Sequence, residues 1–170
     1  MADYIIVGFM GAGKTTTGQL LASVLEAEFN DIDEVIVNSI KMSIADYFAA
    51  FGEAAFREKE HNTLTDLIAS PGILATGGGI IINEANRELL KETSRVVYLT
   101  AEPEVTLERI REDLVAVRPL AVEKTPAQLI ELANSRKEFY AEVATWTIDT
   151  SALTPMEVVQ KIIQLDSVAV

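Results

Sequence analysis

The chain reads as an α/β protein, three layers deep with a central parallel sheet of about five strands, and three observations predict this. Short apolar runs rich in β-branched residues alternate with stretches whose apolar residues recur at helical spacing, the pattern of βαβ units. Glycines and helix-capping residues mark the joins between them. The 170 residues, 49% hydrophobic and 24% charged, are enough for a single domain with a sizeable core, and no linker, repeat or low-complexity tract announces a second.

The first strand is the apolar run Tyr4-Ile5-Ile6-Val7. It leads into Gly8-Phe9-Met10-Gly11-Ala12-Gly13-Lys14-Thr15, a full match to GxxxxGK[ST]. Set between a strand and a helix, that motif is a phosphate-binding loop. Its glycines let successive backbone N–H groups face one anion, and the helix behind adds the positive end of its dipole. Gly11, Ala12, Gly13, Lys14, Thr15 and Thr16 are therefore the expected nucleotide contacts, with Lys14 reaching the β- and γ-phosphates and the Thr15 hydroxyl holding Mg²⁺. The helix from Lys14 to Glu26 is expected to bury Leu20, Leu21, Val24 and Leu25.

A short second strand, Phe29-Asn30-Asp31, brings Asp31-Ile32-Asp33 to the carboxyl end of the sheet, where such folds place their ligands. One carboxylate there suits Mg²⁺ through its water shell, and the other suits accepting a proton from an attacking hydroxyl. The alternative is that both are loop or N-cap acids before the helical pattern of residues 34–39. Ser43 with Asp46 opens a helix that Gly52 stops, and Glu53 begins another that runs to Ala69. On the latter, Glu53 lies four residues before Arg57, and Phe56 four before Glu60. An Arg fork suits bidentate grip of a carboxylate, and a surface ion pair is the plainer reading of the same spacing. His61 follows as a structural residue.

The third strand, Ile73 to Thr76, ends in Gly77-Gly78-Gly79. Three consecutive glycines predict either close approach of a ligand or unusual backbone angles. Val96-Val97-Tyr98-Leu99 and Trp146-Thr147-Ile148 supply the remaining strands, with Trp146 expected in the core. Residues 113–124, which carry Arg118-Pro119-Leu120, lack periodicity and suit a lid whose cation meets a transferring phosphoryl group on closure. Thr125-Pro126 with Gln128, and Thr154-Pro155 with Glu157, open the last two helices as capping boxes.

The net charge of −12 opposes a nucleic-acid partner, because most of the surface would repel a polyphosphate backbone. Absence of cysteine excludes disulfides, thiolate metal sites and a cysteine nucleophile, and suits a reducing compartment. Met-Ala-Asp-Tyr carries no basic leader, and no apolar run approaches the roughly 18 residues of a membrane span. A cytoplasmic monomer acting on small molecules is the expectation.

Taken together, the phosphate-binding loop, Asp31-x-Asp33, Gly52-Glu53-x-x-Phe56-Arg57-x-x-Glu60, Gly77-Gly78-Gly79, Arg118-Pro119-Leu120 and Arg136-x-x-x-Tyr140 resemble the shikimate kinases over nearly the whole chain. The resemblance implies the P-loop fold of the nucleoside monophosphate kinase type, a substrate-binding segment over residues 33–61 and a lid. It implies ATP:shikimate 3-phosphotransferase activity, with ATP as cosubstrate and Mg²⁺ as cofactor. By the same resemblance Asp33 and Gly79 meet the shikimate hydroxyls, Asp33 acting as base, while Arg57, Arg136 and Gly78 or Gly79 bind the carboxylate. Asp31 would organise Mg²⁺ and Arg118 would contact both substrates. Arg111, seven residues before Arg118, matches the arginine that stacks on adenine, with Arg109 as its rival. Ala121 departs from the family, which commonly has a second Leu after Pro-Leu. Gluconate kinases and nucleoside monophosphate kinases share the loop but not the Arg57/Arg136 pairing with Asp31-x-Asp33. A nucleotide-binding regulatory module is the alternative from another class, although no Asn-Lys-x-Asp guanine-reading motif occurs.

Overall fold

The strands are β1 (Tyr4–Val7), β2 (Phe29–Asp31), β3 (Ile73–Ala75), β4 (Val96–Thr100) and β5 (Trp146–Asp149), all parallel, in the order β2-β3-β1-β4-β5. The structure is a computed structural model and describes residues 1–113 and 124–168. β1 pairs with β3 through Tyr4–Ile73 and Ile6–Ala75, and with β4 through Ile5–Val96 and Val7–Tyr98. The chain order reverses between β3 and β4 on either side of β1, which makes the carboxyl end of β1 the switch point where a crevice opens.

Alternation along β1 sorts its side chains into two cores. Ile5 and Val7 join Ile32, Ile36, Phe56, Leu64, Leu74 and Tyr140 on one face of the sheet. Tyr4 and Ile6 join Leu21, Val97, Leu99, Ile148 and Ile162 on the other. Helices α1 (Lys14–Leu25) and α7 (Pro155–Val168) cover the second face. Helices α2 (Ile32–Ile40), α3 (Ile44–Ile68), α4 (Glu84–Lys91) and α6 (Pro126–Val143) cover the first, and α5 (Pro103–Glu112) follows β4. The expected three-layer architecture and the five strands are therefore what the chain forms.

Helix ends follow their sequence signals. Thr125 and Gln128 make a complete capping box on α6, and Thr154 and Glu157 exchange the equivalent bonds at α7. Ser43 caps α3 by accepting from Asp46 N at 3.0 Å. Gly52 interrupts α3 with non-helical angles (φ 83°, ψ 170°), so the helix is two pieces meeting at a kink, as expected.

Two expectations need correction. Val24 and Leu25 on α1 are 48% and 39% exposed, and the buried stripe is instead Lys14, Thr17, Gly18, Leu21 and Ala22. The phase is set by the loop, which turns Lys14 inward, and by Gly18, where a Cβ would run into the Phe29 ring. Trp146 sits on the edge strand β5 and is half-buried against the second core. At the amino end of the sheet, Asp166 of α7 accepts from Tyr4 Oη at 2.8 Å and pairs with Arg95 at 2.7 Å, pinning the last helix to β1. Burial and that acid push the Tyr4 phenol up to about 12. No helix among the described residues is long and apolar enough to cross a membrane.

Candidate active site

The phosphate-binding loop owes its shape to three glycines with left-handed angles, Gly8 (φ 150°), Gly11 (φ 77°) and Gly13 (φ 88°). A Cβ at Gly11 would lie 3.0 Å from the Thr106 carbonyl oxygen, so α5 closes over the loop as well. Gly13 is the N-cap of α1, which leaves the first-turn N–H groups of Lys14, Thr15 and Thr16 facing the loop without helical acceptors. Lys14 is buried, and its ammonium donates to the Phe9 carbonyl at 2.9 Å, inside the turn of the loop.

Asp31 caps α2 and also reaches the loop. Oδ1 accepts from Asp33 N at 3.0 Å and Glu34 N at 3.4 Å, the N-cap of α2, while Oδ2 accepts from the Thr15 hydroxyl at 2.7 Å. A hydroxyl and a carboxylate oxygen thus lie side by side at the foot of the loop. Such hard oxygens suit Mg²⁺, which keeps several waters and takes substrate phosphates rather than an all-protein cage. Consistent with that economy, no group of three or more His, Cys, Asp or Glu able to hold a metal occurs among the described residues.

Asp33 lies in the first turn of α2, facing the glycine triplet. None of Gly77, Gly78 and Gly79 has a left-handed φ, so crowding rather than backbone angles explains Gly77 and Gly79, while a Cβ on Gly78 would meet only ordinary contacts from 3.5 Å. A Cβ on Gly77 would lie 2.7 Å from Asp33 Oδ1, and one on Gly79 would lie 2.5 Å from Arg57 Nη2 and 2.7 Å from its Cζ. The triplet is therefore a bed on which an acid rests at its first position and a guanidinium at its third. Gly79→Ala is expected to displace the Arg57 guanidinium and to cost about 1–3 kcal/mol of stability through overpacking, read as a lowered thermal midpoint. An unshifted melt would contradict this packing.

Arg57 is not a surface pair. Its Nη1 donates to Glu60 Oε2 at 2.7 Å, and Glu60 is 1% exposed, whereas Glu53 stands out in solvent 3.5 Å from Arg57 Nε. Burial pushes the Glu60 carboxyl up to about 6 against the pull of Arg57 and of Arg136, while the charge of Asp33 adds to the rise. Arg136 from α6, 8% exposed, points across the Phe9 ring with its Cζ 6.0 Å from the centroid. Two cations far apart in the chain and two acids thus share one small volume beside the loop.

The structure also separates the two candidate adenine arginines. Arg109 donates to the Thr150 hydroxyl at 2.9 Å, the Thr150 carbonyl at 3.0 Å and the Gly11 carbonyl at 3.3 Å, tying the loop to the end of β5. Arg111 is exposed in the last turn of α5. Arg118, Pro119, Leu120 and Ala121 of the expected lid lie outside the described residues. His61 pairs with Asn86 at 2.6 Å, and Asn86 donates to the Ile80 carbonyl at 2.9 Å, the structural role expected of this histidine.

Comparison with known proteins decides what this geometry serves. Residues 10–166 match the family model described as Shikimate kinase. The chain belongs to the shikimate kinase family. A shikimate kinase of Enterococcus faecalis is 47% identical over 164 residues, covering 96% of this chain and 98% of that one. Another, from Lactococcus lactis subsp. lactis, is 46% identical over 158 residues, covering 93% and 94%. Among solved structures, "Shikimate kinase from Acinetobacter baumannii in complex with shikimate" superposes with a TM-score of 0.91 at 40% identity, over 98% of this chain and 93% of that one. The protein is accordingly an ATP-using transferase with shikimate kinase activity, in the pathway that leads to the aromatic amino acids. Its fold is the P-loop fold of the nucleoside monophosphate kinase type that the family shares.

Proposed function

We propose that the chain transfers the γ-phosphoryl group of ATP to the shikimate 3-hydroxyl, giving shikimate 3-phosphate and ADP, with residues 33–61 as the acceptor-binding segment and residues 113–124 as the lid. The observation that carries the reading is the meeting of Arg57 and Arg136 around one buried acid, next to Asp33 and the phosphate-binding loop. Shikimate brings one carboxylate and three hydroxyls, which calls for a fixed cationic pair and an acceptor acid. An acceptor bearing a phosphate would call for more positive charge.

Arg57 and Arg136 bind the carboxylate, and the backbone of Gly78 and Gly79 lines the ring. Asp33 orients the attacking hydroxyl and takes its proton as the new O–P bond forms. The N–H groups of the loop from Gly11 to Thr16 cradle the phosphates, and Lys14 stabilises charge on the transferring group. Thr15 and Asp31 are the residues that would hold Mg²⁺, which neutralises phosphate charge when bound. Arg118 adds a cation from the lid and so excludes water as a competing acceptor. Arg111 is assigned to the adenine face, because Arg109 is committed to Thr150 and Gly11. We place the enzyme in the cytoplasm, a reducing compartment that a chain without cysteine suits.

ADP release measured with ATP and Mg²⁺ against shikimate, quinate, gluconate and AMP tests the assignment. Turnover with shikimate well above the other three is expected. Preference for gluconate or AMP would replace the acceptor, and silence on all four would favour a binding module.

A further inference from the structure

Tyr140 carries no assigned role in the reading above, yet it occupies the junction of the acceptor site. Its side chain is sealed from solvent and its ring stacks on Tyr98, with centroids 5.1 Å apart. The hydroxyl donates to the Gly78 carbonyl at 2.5 Å, and Arg136 stands one helical turn earlier on α6 with its positive charge near the phenol. Burial holds the phenol above its ordinary range, so it stays a neutral donor at any working pH. A Cβ on Gly78 would stand 3.5 Å from that oxygen, leaving room for the hydroxyl but little more.

One oxygen therefore joins α6 to the glycine bed. The neighbouring glycines on that bed seat Asp33 and Arg57, so the position of Arg136 relative to Arg57 passes through Tyr140. A guanidinium on a flexible stem loses side-chain freedom when it is held, and binding a carboxylate between two such groups is strongest when both are already in place.

We infer that Tyr140 is a positioning residue that sets the preference of the site for a carboxylate, by tying α6, the helix that carries Arg136, to the Gly78 carbonyl through a single hydroxyl. The inference rests on Arg57 and Arg136 being the carboxylate anchors. Tyr140 does not touch the acceptor. It decides how well one anchor is aimed.

The test compares kcat/KM for shikimate with kcat/KM for its neutral methyl ester, in the unmodified enzyme and in Tyr140→Phe. The ratio of the two is independent of the fraction of folded enzyme. Phenylalanine keeps the ring on Tyr98 and removes only the oxygen. The ratio is expected to fall by up to roughly tenfold, the scale of one buried hydrogen bond, with the ATP KM unchanged. In an Arg136→Ala background the same substitution is expected to leave the ratio nearly unaltered, because the group it acts through is gone. A tyrosine fluorinated on the ring, inserted at position 140, is the second variant; its hydroxyl remains and donates to the Gly78 carbonyl at least as well, so a ratio close to that of the unmodified enzyme is expected. An unmodified enzyme that does not distinguish acid from ester would overturn the carboxylate anchors themselves. One that does, with Tyr140→Phe giving the same ratio, with the fluorinated chain losing as much as Tyr140→Phe, or with the Tyr140→Phe effect persisting in full without Arg136, would overturn this inference alone.

Discussion

Lys14→Ala is expected to lower kcat by roughly three orders of magnitude while the protein keeps its fold. The ammonium is buried inside the loop, held to the Phe9 carbonyl at 2.9 Å, where little water screens it. A cation so placed acts on charge that grows in the transition state more than on the ground state, so the loss falls on turnover. Alanine is a good residue for the first turn of α1, but the buried Phe9 carbonyl loses its donor, so the cost in stability is expected at about 1–3 kcal/mol. Turnover at saturating ATP and shikimate, with a thermal melt alongside, checks both halves. Near-native turnover would remove Lys14 from the mechanism.

The second large effect concerns the acceptor. Arg136→Ala is expected to weaken shikimate by about 2–5 kcal/mol, on the order of 30- to 4,000-fold in KM, with kcat at saturating shikimate changed far less. The size follows from burial: Arg136 is 8% exposed, so its loss leaves the substrate carboxylate desolvated with one partner short. It also leaves Glu60 with only Arg57 to offset its charge, which is expected to push the Glu60 carboxyl further above about 6. Initial rates across a shikimate titration separate the two parameters. An unchanged KM in the variant would break the assignment of the acceptor.

The fold was legible wherever a local signal had no competitor. The strands are runs of apolar residues too short for helices, and the three capping residues Ser43, Thr125 and Thr154 bond as their spacing predicts. The buried face of α1 was misread because Val24 and Leu25 are apolar while Thr17 and Gly18 are not, and periodicity weighs side-chain polarity rather than the space available. Gly18 is buried for its small size against Phe29, which no helical pattern registers.

At the site, sequence named the participants but not their division of labour. Asp31 posed a choice between cap and functional acid, and the two are compatible because a carboxylate has two oxygens, one capping α2 and the other beside the Thr15 hydroxyl. The glycine triplet announced close approach without saying of what, since Asp33 and Arg57 reach it from other elements. Arg109 and Arg111 could not be told apart because the phase of α5 depends on contacts with Thr150, 41 residues away from Arg109. Tyr140 stood in a motif, yet its hydroxyl acquires a purpose only when α6 meets the loop after β3.

Glu60 gives the pocket one more property. Near neutral pH its carboxylate and that of Asp33 cancel Arg57 and Arg136, so the empty socket is electrically even and admits a monoanion at little cost. Phosphorylation then adds a dianion beside Asp33, and its charge has to be met from the side of the loop, where Lys14 stands, rather than by Arg57 and Arg136. The socket alone thus discriminates between acceptor and product, and an inhibitor carrying a permanent phosphate at the 3-position would have to draw its added affinity from the phosphate-binding loop.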